Sequence, residues 1–305
     1  LRARVVGEGG NLGLTQRARI EYWVNGGLVN TDAVDNSGGV DMSDHEVNLK
    51  ILLDLLVRTG VIRSRADRNQ LLVDMTDEVS DLVLADNANQ ARALSLDTAR
   101  SRAQYDAFVG LMDDLVSAGI VNRNDDALPT REELMGSPAK TRGLPRPVLA
   151  VLLGHVKNWA FREVLKTQAV DGDLARPFLD EYFPRRLREQ HAAHFEKHPL
   201  KREIIATGVV NYLVNNAGVA WLHRVMATTG QDMAQVVLTY LDVDRASGAP
   251  NLRAALLGAG HPVDREIDAL LKIEEAIEAE VVAALGGKKT KPVEALESLK
   301  STLGA

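Results

Sequence analysis

The chain of 305 residues is 45% hydrophobic and 26% charged, which is enough to bury a sizeable core in one large or two smaller domains. Its formal net charge of −6 argues against nucleic acid as a partner, because no basic surface field is available for a phosphate backbone. The chain has no cysteine, which excludes disulfides and thiolate chemistry, and no apolar run approaches the roughly 20 residues that span a bilayer, so we expect a cytoplasmic protein without a membrane partner.

The first residues predict one β-α-β step. An apparent strand ends at Val6, a glycine-rich turn follows, a helix is predicted from about Leu14 to Asn25, and a short strand returns around Leu28-Val29. Because the chain enters the first strand without a methionine or a signal-peptide pattern, we expect further sequence upstream of Leu1. The glycine turn follows the end of a strand, where open α/β sheets bind ligands, although a plain tight turn would explain it equally well.

The polar loop from Asn30 to Asn48 is the most informative stretch. The pair Gly38-Gly39 lets the backbone come close to a ligand, and Ser43 with Glu46 three residues later has the spacing of a capping box. A serine at the positive end of a helix is a natural site for a carboxylate. The alternative is a well-capped helix that simply follows a polar loop.

From Ser43 onward the apolar residues follow a helical period. A stripe from Val47 to Leu56 predicts a core-facing helix that Gly60 is placed to end. A segment rich in glycine, proline and positive charge, residues 136–147, is predicted to be a linker between helical subdomains. Further helices are predicted around residues 74–85, 98–118, 147–168, 184–196, 200–216, 219–229, 232–245, 263–285 and 293–303.

Two motifs in roughly the first fifth of the chain resemble the glutamate dehydrogenases. They are Glu8-Gly9-Gly10-Asn11 and the loop Asn36-Ser37-Gly38-Gly39-Val40, which leads to Ser43 and Glu46. Gly10 and Ser37 stand where alanine is commoner in that family. The full amino-acid sequences of both stretches, together with the segments 144–153 and 202–207, are similar to the C-terminal part of the large bacterial NAD-dependent branch.

The resemblance implies a mostly α fold with a short α/β piece at its start. Residues 1–58 would be the C-terminal end of a Rossmann-like nucleotide-binding domain with its active-site loop. Residues 59–305 would form a helical C-terminal domain, with a possible subdivision near 136–147.

The same resemblance implies roles for individual residues. Asn11 would lie near the nicotinamide ribose and Asn36 would hold the nicotinamide carboxamide, while Ser43 would bind a substrate carboxylate beside Gly39. An amide side chain suits a carboxamide because it offers both a donor and an acceptor. The implied cofactor-binding residues are Gly9, Gly10, Asn11, Asn36 and Gly38, and the implied substrate-binding residues are Ser43 and Gly39.

The implied reaction is the oxidative deamination of L-glutamate to 2-oxoglutarate and ammonia with NAD, a step of amino-acid catabolism, in a homo-oligomer. The family's proton-transferring lysine and aspartate and its pyrophosphate-binding turn would precede Leu1. We therefore assign no catalytic and no metal-binding residue within the chain and expect residues 1–305 alone to be inactive. The alternative function is a non-catalytic helical scaffold or oligomerisation module.

Several other residues are interpreted as structural. Lys50 is expected to be solvated, and His191, His194 and His198 are expected to lie on a solvated surface rather than to bind zinc. The basic segment from Lys140 to Arg146 is expected to be a solvated linker rather than a phosphate site. The aromatic residues are expected to anchor packing, and they are Trp159, Phe161, Tyr182, Phe183 and Trp221.

Overall fold

The computed structural model describes residues 1–135, 143–288, 294, 296 and 297, and it is mostly α-helical, as predicted. Strands β1 and β2 span Val5–Val6 and Leu28–Val29. The first helices are α1 Gln16–Val24, α2 Asp32–Asp35, α3 Ser37–Arg58, α4 Arg65–Asp74, α5 Thr76–Ala103, α6 Tyr105–Ser117 and α7 Arg131–Met135. The later ones are α8 Arg146–Leu165, α9 Arg176–Tyr182, α10 Arg185–His191, α11 Lys201–Ala217, α12 Trp221–Thr229, α13 Met233–Ser247, α14 Ala249–Gly258 and α15 Val263–Leu285.

The β-α-β step at the start of the chain forms as predicted. The two strands pair in parallel, with Val5 opposite Leu28 and Val6 opposite Val29. Helix α1 connects them, and Thr15 caps it by accepting a hydrogen bond from the backbone of Ala18. This parallel pair brings the glycine turn after β1 and the polar loop after β2 to the same end of the strands.

The predicted start of the helix at Ser43 is wrong. Helix α3 begins at Ser37, and its N-cap is Asn36, whose side-chain oxygen accepts from the backbone of Gly39. Asparagine is among the strongest N-cap residues, and a glycine pair costs little helix stability in a first turn that the cap already holds. Ser43 therefore lies inside the helix, and the capping box with Glu46 does not form.

Other boundaries also differ from the prediction. Helix α5 runs without interruption through the polar stretch between residues 85 and 98. The helix ends instead before Gln104, and α6 begins directly after that residue. Helices α4 and α14 were not predicted, and the predicted helix 184–196 is split into α10 and the 3-10 helix Ala192–Lys197. Most of the predicted helix 293–303, and the linker up to residue 142, lie outside the described residues.

One core joins the helices of the described chain. Helix α5 lies at its centre and packs against α3, α8, α11 and α15. The core runs from Val34 to Leu296, so it includes buried residues on both sides of residue 58. Within the described residues, no helix combines the length and the apolar character that crossing a membrane requires.

Candidate functional site

The glycine turn after β1 is anchored by a buried ion pair that the sequence did not reveal. The Nε and Nη2 atoms of Arg19 donate to the two carboxylate oxygens of Glu8 at 2.7 and 2.8 Å, and both residues are buried. This hydrogen bond with Glu8 raises the pKa of Arg19 above its ordinary value, against the effect of burial. A bidentate arginine–carboxylate pair fixes geometry, so the turn is held rigidly on α1.

The carboxylates of α2 hold the rest of the turn. Asp32 accepts from the backbone of Leu12 at 2.7 Å, and Asp35 accepts from the backbone of Glu8 at 3.0 Å. Leu12 adopts a φ of 59°, a left-handed conformation that is uncommon for a leucine, and its side chain is exposed. The hydrogen bond to Asp32 supports this conformation, so the polar loop after β2 determines the shape of the turn after β1.

Asn11 and Asn36, which come from different motifs, meet at the surface. The Nδ2 atom of Asn36 donates to Oδ1 of Asn11 at 3.2 Å. Asn36 uses its own Oδ1 to cap α3, so both polar atoms of its amide have partners. The structure therefore brings together the two amides for which the family resemblance implies a role at the nicotinamide half of a cofactor.

The glycines beside these amides differ in how much space a side chain would have. A Cβ atom at Gly39 would lie 2.6 Å from the side-chain nitrogen of Asn36, so a larger residue there would displace the capping amide. A Cβ atom at Gly9, Gly10 or Gly38 would meet no atom within 4 Å. Packing within the chain therefore explains Gly39 and leaves open space over the other three glycines.

Ser43 is exposed on the outer face of α3. Its hydroxyl donates to the backbone carbonyls of Gly39 and Val40, at 3.0 and 2.8 Å, rather than capping the helix. The positive end of α3 lies at Asn36, so the expected combination of a serine with a helix N-terminus is wrong. The hydroxyl remains accessible beside the first turn that Gly38 and Gly39 form.

The opposite face of α3 borders a cavity of about 470 Å³. Asp41 and His45 from α3 and Asp86 from α5 line it, and one ligand-capable atom from each of the three lies within 4.8 Å of the others. Burial, together with the negative charges of Asp86 and Asp44, raises the pKa of Asp41 to about 7. These residues were missed in the sequence, although Asp41 and His45 are one helical turn apart, because nothing local indicates Asp86.

Burial also governs the neighbouring titratable groups. It raises the pKa of Asp86 and lowers that of His45. On α8, burial lowers the pKa of Lys157 to about 8, against the attraction of Asp86 and Asp41. Two carboxylates with hindered ionisation and a neutral imidazole thus face one cavity.

The remaining sequence candidates are structural. Lys50 pairs with Glu46 on the exposed face of α3. Arg146 is not a solvated linker residue, because its guanidinium donates to the side chains of Asn30 and Ser95 and to the carbonyl of Ala91. Lys140 and Arg142 lie outside the described residues.

The surface interpretation of the histidine cluster is wrong for His198. That residue is 2% exposed, its Nε2 lies 3.1 Å from the carbonyl of Asn48, and its Nδ1 accepts from the backbone of Leu200. Both ring nitrogens are therefore engaged in hydrogen bonds within the fold, and burial lowers the pKa of His198. The ring centroids of His191 and His194 lie 6.3 Å apart, whereas the ring of His198 is bonded to Asn48 and Leu200 instead.

The aromatic residues pack into the core, as predicted. Phe183 and Trp221 are buried, and Trp159 and Phe161 lie against the core. Tyr182 has a second role, because its ring stacks on His45 at 4.5 Å and its hydroxyl bonds Asp44 and Asn48.

Comparison with known proteins finds two families that match separate segments of the chain. Residues 1–97 match the family described as bacterial NAD-glutamate dehydrogenase, catalytic domain. Residues 141–284 match the family described as glutamate dehydrogenase, C-terminal.

Curated relatives match over most of the chain. It is 40% identical to the NAD-specific glutamate dehydrogenase of Mycobacterium tuberculosis over 86% of its own length, and 43% identical to the proteins of that name from Halomonas elongata and Pseudomonas aeruginosa over 79% and 80%. The matches cover only 16%, 15% and 15% of those proteins. The chain therefore spans about a sixth of the length of the curated relatives it matches.

Proposed function

We propose that this chain, which belongs to the bacterial NAD-glutamate dehydrogenase family, supplies the surface that binds nicotinamide and glutamate in such an enzyme. The reaction proposed is the oxidative deamination of L-glutamate to 2-oxoglutarate and ammonia, with hydride passing to NAD. The observation that carries the proposal is the meeting of Asn11 and Asn36 at an open surface beside Gly9, Gly10 and Gly38.

The arrangement of these amides supports the proposal chemically. A nicotinamide carboxamide needs one acceptor and one donor, and Asn36 can offer the second lone pair of its Oδ1 and the second hydrogen of its Nδ2, on a side chain that the cap of α3 holds in place. Asn11 lies within hydrogen-bond distance of it and can turn to a ribose hydroxyl. The open space over the glycines leaves room for the flat ring to approach the backbone.

The substrate end of the proposed site lies one to two turns along α3. The Ser43 hydroxyl lies on the same exposed face as Val40 and Val47. We propose that its single hydrogen turns from the backbone carbonyls of Gly39 and Val40 to a substrate carboxylate, with Gly39 keeping the approach clear. The proton-transferring groups of the reaction are not proposed among residues 1–305.

The nucleotide-binding fold is also a proposal. Parallel strands as short as β1 and β2 are marginal in isolation, and their Val5 and Leu28 side chains are 64% and 48% exposed. We propose that further strands extend this pair into a Rossmann-like sheet, that residues 1–58 complete that domain, and that residues 59–305 form its helical partner. A homo-oligomer in the cytoplasm is proposed on the family resemblance alone.

The test is an activity assay on the complete product of the gene that encodes these residues. We expect glutamate-dependent formation of NADH, with NADP a much poorer acceptor, and no NADH formation from residues 1–305 alone. A complete product that binds neither NAD nor glutamate would refute the proposal and favour a non-catalytic helical scaffold. Activity of residues 1–305 alone would refute the assignment of the proton-transferring groups elsewhere.

A further inference from the structure

A second site lies on the opposite face of α3 from the proposed substrate-binding hydroxyl. We propose that Asp41, His45 and Asp86 bind a divalent transition-metal cation, with zinc as the ion that the ligand set fits best. The three residues line the cavity of about 470 Å³, and one ligand-capable atom from each lies within 4.8 Å of the others. This site is independent of the proposed dehydrogenase residues.

The helices present the three side chains to one point. Asp41 and His45 are four residues apart on α3 and therefore lie one above the other on the same face. Asp86 reaches the same point from α5, which packs directly against α3. Two ligands from one helix and a third from its neighbour is an arrangement that helical bundles use for metal sites.

Two buried polar atoms of this cluster have no hydrogen-bond partner among the described residues. His45 is 3% exposed, and its Nδ1 is buried without a hydrogen-bond partner among the described residues. Oδ2 of Asp41 is likewise buried and unpartnered within the described chain. An unsatisfied buried polar atom costs about 1–3 kcal/mol, more if it is charged, and a cation would satisfy both atoms at once.

The donor set selects the kind of cation. An imidazole nitrogen with two carboxylate oxygens suits zinc and its transition-metal neighbours, whereas magnesium and calcium favour oxygen alone. Tetrahedral ligands around zinc lie roughly 3.4 Å apart for metal–ligand bonds of about 2.1 Å. Small side-chain rotations would close the cluster to that size, and the cavity leaves space for a water as the fourth ligand.

Neighbouring groups already hold the ligands in orientation. The ring of Tyr182 stacks on His45 at 4.5 Å, and its hydroxyl donates to Asp44 at 2.8 Å while accepting from Asn48 at the same distance. The backbone of Asn48 is in turn held by His198. Such an outer layer is what fixes the orientation of a metal-binding imidazole.

Lys157 is the competing source of positive charge. It lies near enough to Asp86 and Asp41 to attract them electrostatically, yet no carboxylate oxygen of the described residues lies within 4.0 Å of its amine. The lysine thus offsets part of the negative charge without satisfying the buried ligand atoms. A cation between the carboxylates accounts for the unpartnered atoms as well as for the charge.

The test is a titration of the chelator-treated protein with Zn²⁺, followed by calorimetry, with Mn²⁺ and Mg²⁺ for comparison. We expect one Zn²⁺ per chain at micromolar affinity or tighter, weaker binding of Mn²⁺, and none of Mg²⁺ at that site. His45→Gln and Asp86→Asn are each expected to weaken Zn²⁺ binding by at least roughly tenfold. His194→Gln is the matched control and is expected to leave the affinity unchanged.

Absence of stoichiometric Zn²⁺ binding to the unmodified protein, or equal affinity in the His45 and Asp86 variants, would overturn the proposal. If either variant does not fold, X-ray absorption at the zinc edge of the unmodified protein decides. A spectrum of one imidazole with oxygen ligands supports the site. A spectrum of two or more imidazoles overturns it, because the proposed ligand set contains a single imidazole, that of His45.

Discussion

Polar side chains are arranged in opposite ways in the N-terminal motifs and in the helical body. In the turn that carries Asn11 and in the start of α3 with Asn36 and Ser43, amide and hydroxyl groups lie at the surface beside glycines that leave open space. Between α13, α14 and α15, Arg253 is 5% exposed and is enclosed by the carboxylates of Asp244 and Glu274. Polar groups that the fold leaves open are available to ligands, whereas the charges around Arg253 are paired with one another and stabilise the fold, so variants in the two regions should fail in different measurements.

The largest effect on stability is expected from Arg253→Ala. The change leaves two buried carboxylates without their cation, which costs about 3–5 kcal/mol when one partner of a buried ion pair is removed. Urea unfolding of the purified protein measures the loss. Arg188→Ala, on an exposed position of α10, is the matched control and should change the free energy of unfolding by less than about 0.5 kcal/mol. Equal losses in the two variants would remove the distinction between enclosed and open polar groups.

The next largest effect, on ligand binding this time, is expected from Ser43→Ala. Loss of a hydrogen bond to a charged carboxylate should weaken glutamate binding by roughly 1.5–3 kcal/mol, measured as the KM for glutamate of the complete gene product. Stability should hardly change, because the hydroxyl only bonds carbonyls of its own helix. Ser80→Ala removes a similar bond within α5 and should leave the KM unchanged. A lower melting temperature with an unchanged KM would make Ser43 merely structural.

A smaller contrast is expected between Gly39→Ala and Gly38→Ala. A methyl group at Gly39 displaces the amide of Asn36 and should cost about 1 kcal/mol of stability, the usual value of an N-cap. The same change at Gly38 meets no atom and should leave stability equal or slightly higher, since alanine favours helix. If Gly38 adjoins the cofactor, its variant should still raise the KM for NAD. An unchanged KM would argue against that position.

Local signals explain which parts of the structure could be predicted from the sequence. The β-α-β step was predicted because strand, glycine turn and helix signals follow each other directly, and the helical period of the apolar residues indicated α8, α13 and α15. The start of α3 was predicted wrongly because Asn36 and Ser43 are both good N-cap residues. The hydrogen bond from the backbone of Gly39 to the side chain of Asn36, which identifies Asn36 as the cap, is visible only in the structure.

Pairs distant in sequence could not be predicted. Glu8 meets Arg19 only when the turn folds over α1, and Asp86 meets His45 only when α5 packs on α3. The Asn11–Asn36 contact was suggested by the family resemblance alone, since no period or spacing relates the two loops. Tertiary packing, rather than any local propensity, creates these clusters.

The proposed contact between Asn36 and the nicotinamide of NAD is tested by the kinetics of Asn36→Ala in the complete gene product. Loss of the two amide hydrogen bonds should raise the KM for NAD roughly tenfold, about 1.4 kcal/mol. Thr15→Ala removes the equivalent cap from α1 and is the control, because it should lower stability similarly without changing the KM. A KM for NAD that is the same in both variants would contradict the assignment of this surface to the cofactor.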